Sequence, residues 1–201
     1  MNTQRVVLAS SNAGKLREFS ELLASQGFTL ARQSDFGIAP PPETGHTFLE
    51  NALIKARNAA RIAGLPAIAD DSGIEIDALG GAPGVYSARY AGEDASDEAN
   101  LDKLLAALAG LGPRERGARY RCVIVYVAHA DDADPLIGEA HWDGSILDGR
   151  RGDGGFGYDP SFIPLGDTRT VAEIPQQEKN QKSHRAKALA AFLAQFSRGR
   201  R

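Results

Sequence analysis

The sequence predicts an α/β protein: a mixed, twisted sheet with flanking helices, gathered into two lobes. Three observations carry that expectation. The chain opens with a buried-strand run, a polar turn, an amphipathic helix and a second strand run, a β-loop-α-β start. Strand and helix signals go on alternating. Finally, 201 residues with 42% hydrophobic side chains suffice for one sizeable core, or for one core with a cleft between two lobes. The second lobe could equally be an insertion into one continuous sheet.

The elements follow in order. Val6, Val7, Leu8 and Ala9 give the first strand. A helix fits Lys15 to about Ser25, with Leu16, Phe19, Leu22 and Leu23 on one stripe and Gly27 to stop it. Phe28 to Ala31 reads as the next strand. Residues 33–46, with the run Pro40-Pro41-Pro42, read as a loop. Thr47 and Glu50 have capping-box spacing, and the helix they open runs to Ala63 before Gly64. Ala52, Ala56, Ala59 and Ala60 favour helix and permit close packing. Pro66 precedes the strand Ala67-Ile68-Ala69, which ends on Asp70 and Asp71. Ile74 and Ile76 alternate with Glu75 and Asp77, the pattern of a half-buried strand.

GGAPG at 80–84 is a turn. Ser96 caps a helix reaching Ala109, with Leu101, Leu104, Leu105 and Leu108 inward. GLGPRERG at 110–117 is the expected boundary between lobes. Ala118 to His129 is the longest strand signal, and Ile137 to Trp142 can pair with it. Glycine-rich turns dominate 149–160. The last helix starts near Ser183 and turns Leu189, Phe192, Leu193 and Phe196 to the core. The whole chain, 1–201, reads as a single two-lobed domain.

Composition excludes several classes. Lys and Arg total 23 against 26 Asp and Glu, a formal net charge of −3, which argues against a generic nucleic-acid surface. The single cysteine, Cys122, excludes an internal disulfide framework and reads as a buried strand residue in CVIVYV. No stretch reaches membrane-spanning length, and MNTQRVVLASS carries too short an apolar core for a secretory signal. A cytoplasmic protein is expected. His46, His129, His141 and His184 form no metal spacing, and no GxSxG elbow supports covalent catalysis.

Five polar clusters remain. SSNAGK at 10–15 joins a strand to a helix, where backbone N–H groups can hold an anion. Taken alone, it favours an ordinary strand–helix turn over phosphate binding. In ETGHTFLENALIKA, Asn51 and Lys55 share a helix face that lines a polar cleft or meets water; spacing slightly favours water. Glu43, outside that helix, is freer to reach a metal. Asp70 and Asp71 point to opposite faces, and their oxygens suit magnesium; Asp-Ser-Gly is also good turn composition. GDGGFGYDP at 152–160 sets Phe156 and Tyr158 beside flexible backbone, which suits a flat heterocycle or a tight turn with one aromatic packed inward. EKNQKSHR at 178–185 places Lys179, Lys182, His184 and Arg185 near a helix start, where cations oppose the helix dipole. They could meet phosphates or a base edge, or simply water.

Together these segments resemble the nucleoside triphosphate pyrophosphatases that act on deaminated purines, the inosine/xanthosine triphosphatase group. The likeness rests on SSNAGK, ETGHTFLENALIKA, ADDSGIEIDALGGAPGVYSARY at 69–90, GGFGYDP at 154–160 and KNQKSHR at 179–185. It spans Val6 to about Phe196. The resemblance implies a two-lobed α/β fold around a central nucleotide cleft, a homodimer, and magnesium-dependent hydrolysis of ITP, dITP and XTP to monophosphate and pyrophosphate. It implies that Ser10, Ser11, Asn12, Ala13, Gly14 and Lys15 bind the triphosphate, with Lys55 and Ser72 touching substrate. Asp71 becomes the catalytic carboxylate and, with Glu43, a metal contact. Phe156, Gly157, Tyr158 and Asp159 hold the base, and Lys179, His184 and Arg185 complete the pocket. Ser10-Ser11-Asn12 departs mildly from the group's commoner Thr-Gly-Asn. The other classes weighed are a nucleotide-binding regulatory module, a septum-associated nucleotide pyrophosphatase and a structural homodimer.

Overall fold

A computed structural model describes residues 4–23 and 27–199 of the chain. Its elements run β1 (Gln4–Leu8), α1 (Ala13–Leu23), β2 (Phe28–Arg32), α2 (Phe48–Ala63), β3 (Ala67–Ile76), α3 (Asp97–Ala107), β4 (Gly117–Val127), β5 (Leu136–Ile146), β6 (Phe162–Pro164), α4 (Gln176–Lys182) and α5 (His184–Gly199). The strands lie in the order β2-β1-β3-β4-β5-β6. β1 pairs in parallel with β2 and β3, whereas β5 and β6 are antiparallel, so the sheet is mixed. This is the predicted α/β class. Among the described residues, no helix is long and apolar enough to cross a membrane.

The chain divides into two compact units, one of residues 1–71, 122–140 and 185–201, the other of residues 72–121 and 141–184. Three of the boundaries therefore fall inside β3, β4 and β5. The expected connector, 110–117, lies wholly within the second unit. The first unit's core joins Val6, Leu8, Phe19, Leu23, Ile68, Ile124, Leu189 and Phe192, and Cys122 is fully buried among them. The second unit's core gathers Ile74, Ile76, Leu101, Leu104, Leu108, Tyr120, Trp142 and Phe162. Both cores use the alternating or helical apolar positions of their elements.

Local signals explain the ends of α2. Thr47 accepts a hydrogen bond from the Glu50 amide, Glu50 accepts one from the Thr47 amide, and Gly64 closes the helix at φ 63°. Ser96 caps α3 by accepting from the Ala99 amide. The predicted end of the first helix, Ser25, lies outside the described residues, and α1 begins two residues earlier than Lys15.

Two local expectations are corrected. Asp70 and Asp71 do not end a strand: β3 continues through both to Ile76, and Asp-Ser-Gly forms no turn. The apolar Ile74 and Ile76 beyond them carry the strand onward. Lys179 and Lys182 do not precede a helix start alone: a short helix, α4, comes before Ser183, and the two lysines occupy its last turn. Cations there complement the helix dipole rather than oppose it. A further strand, β6, has only three residues, too few to show alternation in the sequence.

Candidate active site

The first unit builds its polar site on the middle of β3. Successive strand side chains point to opposite faces, so Asp70 and Asp71 meet different partners. Asp70, 1% exposed, pairs with Lys15 Nζ at 2.9 Å and lies 3.6 Å from Arg185 Nε. Burial alone would raise its pKa, but Lys15, Arg185 and Lys55 overcome it and hold the carboxyl well below the usual range. Arg185 is itself buried and also pairs with Glu18. Asp70 is thus a permanently charged anchor.

Asp71 faces Lys55, whose Nζ stands 2.7 Å from Asp71 Oδ1 and 3.0 Å from Glu43 Oε1. Burial pushes the Asp71 carboxyl above its ordinary value, against the pull of Lys55 and Lys15. Lys55 shows the complementary behaviour: burial works to lower its pKa, but Asp71, Asp70 and Glu43 outweigh it, and the ammonium stays charged. One cation shared among several carboxylates can hold its own charge without fully compensating theirs. Asn51, fully buried, joins the group: its Oδ1 accepts from the Gly45 amide at 2.8 Å and its Nδ2 lies 3.4 Å from Asp71 Oδ2. The shared helix face of Asn51 and Lys55 therefore lines a polar cluster, not water.

The loop 10–15 is held by its own side chains. Asn12 Oδ1 accepts from the Lys15 amide at 3.0 Å, capping α1, and Ser10 Oγ accepts from the Asn12 amide at 3.3 Å. Ser11 and Asn12 are exposed, Ser10 and Gly14 half-buried, and Ala13 opens the helix.

The second unit holds the remaining candidates. Asp159 is buried, and each of its oxygens is engaged. Oδ2 accepts from Lys179 Nζ at 2.8 Å and from the Phe156 amide at 3.0 Å, and Oδ1 accepts from the Tyr120 hydroxyl at 3.0 Å. The Lys179 ammonium also sits 4.7 Å from the Phe156 ring centroid. His184 stacks on Tyr120, ring centroids 4.7 Å apart and planes within 8°. Phe156 is half-buried, whereas Tyr158 packs inward and donates to the Ser87 carbonyl at 2.7 Å. Of the two aromatics of the glycine-rich segment, Tyr158 is therefore the one packed inward, and Phe156 keeps part of its surface open. Gly157, at φ 62°, donates its amide to Asp97 Oδ2, and Ser72 is half-buried.

The chain is similar to known proteins over nearly its full length. A profile of the Ham1 family matches residues 6–195. The chain belongs to the Ham1 family. Curated relatives include the dITP/XTP pyrophosphatase of Methylococcus capsulatus, 55% identical over 96% of each chain. The corresponding protein of Shigella flexneri is 51% identical over 98% of this chain and 100% of its own. Solved neighbours include a HAM1 protein from Coxiella burnetii, 45% identical with a TM-score of 0.90 over 98% of this chain and 100% of that one. The Staphylococcus aureus Ham1 protein follows at 39% identity and a TM-score of 0.86 over the same shares.

Within this Ham1 chain, the structure brings Lys15, Glu43, Lys55, Asp71 and Arg185 into the first unit. Ser72, Phe156, Gly157, Tyr158, Asp159, Lys179 and His184 fall in the second. Among the described residues, no group of three or more His, Cys, Asp or Glu side chains is placed to hold a metal. The two carboxylates that converge on Lys55 are nonetheless hard oxygen donors, the kind that suits magnesium with retained waters. The charge balance agrees: Asp70, Asp71, Glu43 and Glu18 outnumber Lys15, Lys55 and Arg185. A polyphosphate needs further positive charge to enter such a cluster.

Sequence reasoning missed Tyr120 and Glu18. Tyr120 sits in a run with full strand character, and Glu18 on a helix where most glutamates face water; no local signal distinguishes either.

Proposed function

We propose that the chain hydrolyses inosine, deoxyinosine and xanthosine triphosphates to the monophosphate and pyrophosphate, removing deaminated purines from the nucleotide pool. The observation that carries this reading is the triangle of buried Asp71 with half-buried Lys55 and Glu43, a raised carboxyl beside a shared ammonium. The curated Ham1 relatives named for this activity support it.

Asp71 is the catalytic carboxylate. It orients a water molecule for attack on the α-phosphorus and takes up its proton. The new phosphorus–oxygen bond forms as the bond to the β-phosphate bridging oxygen breaks, and pyrophosphate leaves in line. A carboxylate of ordinary pKa is a weak base at neutral pH; the upward push that burial gives Asp71 moves it toward that task. Magnesium, held by Asp71 and Glu43, would offset phosphate charge and orient the leaving group. Lys15 and Lys55 contribute cations, and the loop from Ser10 to Lys15 offers the triphosphate the head of α1. Phe156 offers a face to the base, with Gly157, Tyr158 and Asp159 shaping its support. Lys179 and His184 present donors suited to a 6-oxo purine, and an unmet donor facing a 6-amino group costs roughly 1–3 kcal/mol. Arg185, buried between Glu18 and Asp70, serves the pocket by fixing the anchor on which Lys15 rests.

The same reading extends to the architecture: residues 1–201 form one domain of two lobes around a nucleotide cleft, working as a cytoplasmic homodimer. Sedimentation of the purified chain tests the dimer. Pyrophosphate release from ITP, XTP, dITP, GTP and ATP, with and without magnesium, tests the activity. A large preference for ITP and XTP that vanishes without magnesium is expected. Equal rates on ATP would overturn the substrate assignment.

A further inference from the structure

Asp159 is 3% exposed, and a carboxyl group buried so deeply needs partners for both of its oxygens. Its Oδ2 takes both Lys179 and the Phe156 amide. Its Oδ1 takes the hydroxyl of Tyr120, a residue from the first half of β4 rather than from the glycine-rich loop or α4. Tyr120 is anchored: 7% exposed, it packs edge-on against Phe162 at 4.7 Å and 60°. The opposite demand falls on its other neighbour, since the His184 imidazole lies almost parallel to the same ring. One rigid side chain therefore touches two residues on separate segments, Asp159 and His184.

A phenylalanine at this position would pack in the core equally well. The hydroxyl adds a directional donor, and buried tyrosine hydroxyls need a partner. With Oδ1 held, the carboxylate plane is set. Oδ2 then presents a fixed acceptor to Lys179, whose ammonium stands over the Phe156 ring. Without that hold, the carboxylate can turn and grip Lys179 with both oxygens, drawing the ammonium off the ring face.

We propose that Tyr120 is a positioning residue for base selection, aligning Lys179 through Asp159 by its hydroxyl and His184 by its ring; this rests on the reading of those residues as the base-contacting set. The hydroxyl governs discrimination between purines, and the ring governs the setting of His184. A residue that merely filled the core would affect every substrate alike.

Tyr120→Phe tests the hydroxyl, because it keeps ring, volume and stack. Steady-state kcat and KM are measured with magnesium on ITP, XTP, GTP and ATP, alongside the melting temperature. The expected result is an unchanged fold and a ratio of kcat/KM for ITP over ATP about tenfold lower than in the parent protein, the scale of one buried hydrogen bond. The loss is expected mainly in KM for ITP. The same ratio is read in Asp159→Asn and in the double variant. Non-additive effects support action through Asp159, and additive ones overturn it. An equal change on all four nucleotides, or none, also overturns the inference. A parent protein that does not prefer ITP and XTP overturns the function itself; a selective parent with an equally selective Tyr120→Phe overturns only the role of Tyr120.

Discussion

At the scale of single residues, two adjacent carboxylates are made chemically different by one step along a strand. Asp70 meets Lys15 and Arg185 and is held charged; Asp71 shares Lys55 with Glu43 and is pushed toward protonation. Their substitutions are expected to separate stability from activity. Asp70→Asn leaves two cations short of their buried partner and is expected to destabilise the fold by about 3–5 kcal/mol in urea denaturation. Asp71→Asn relieves a carboxylate whose charge is disfavoured, so its melting temperature is expected to match or exceed the parent's. Its rate on ITP is expected to fall about 10³-fold or more, within the range for loss of a general base. An Asp71→Asn protein that hydrolyses ITP at the parent rate would remove Asp71 from the chemistry.

At the scale of elements, packing between strand and helix sets the tolerances. In the first unit, β5 passes so close to α5 that a Cβ on Gly138 would collide with the Ala188 carbonyl and with Phe192. Backbone cannot yield as a side-chain tip can. Gly138→Ala is therefore expected to lower stability by about 1–3 kcal/mol, as overpacked cores do, read as a lower urea midpoint. At the head of α2, Thr47→Ala removes one half of the capping box at a cost of about 1 kcal/mol. Glu50 also accepts from the His46 amide, and Asn51 holds the Gly45 amide, so the loop that carries Glu43 is tied to the same first turn. Loosening that turn is expected to raise the magnesium concentration needed for half-maximal activity. An unchanged requirement in Thr47→Ala would uncouple the cap from Glu43.

At the scale of the whole molecule, stability should respond to pH and ligand in ways the buried charges dictate. Asp70's folded pKa is lowered, so its contribution is fully present above the ordinary carboxylate value near 3.9 and is lost only as pH falls through the folded value. Asp71's folded pKa is raised, so its contribution is present below the ordinary value and is lost as pH rises through the folded one. The melting-temperature difference of Asp71→Asn from the parent is thus expected to grow more positive from pH 4 to 7. That of Asp70→Asn is expected to shrink below pH 4. ITP with magnesium at 100 times its dissociation constant should add about 2.7 kcal/mol of stability. For a chain of this size that is a rise of roughly 5–10 °C. A melting temperature indifferent to ITP would rule out specific binding.

The sequence by itself determined the α/β class, the amphipathic helices, the caps at Thr47, Gly64 and Ser96, and the motifs that identify the family. All of these are written in local spacing, where periodicity and capping operate within a few residues. Even there, the continuation of β3 past Asp70 and Asp71 was hidden, because two charges and Ser-Gly imitate a turn. Only the tertiary structure decided which carboxylate is anchored and which is strained, that α4 interrupts the approach to α5, and that Tyr120 and Glu18 belong with the polar groups. Those facts depend on which distant side chains share a buried space. Burial multiplies the strength of charge interactions and hydrogen bonds that the linear order of residues leaves unspecified.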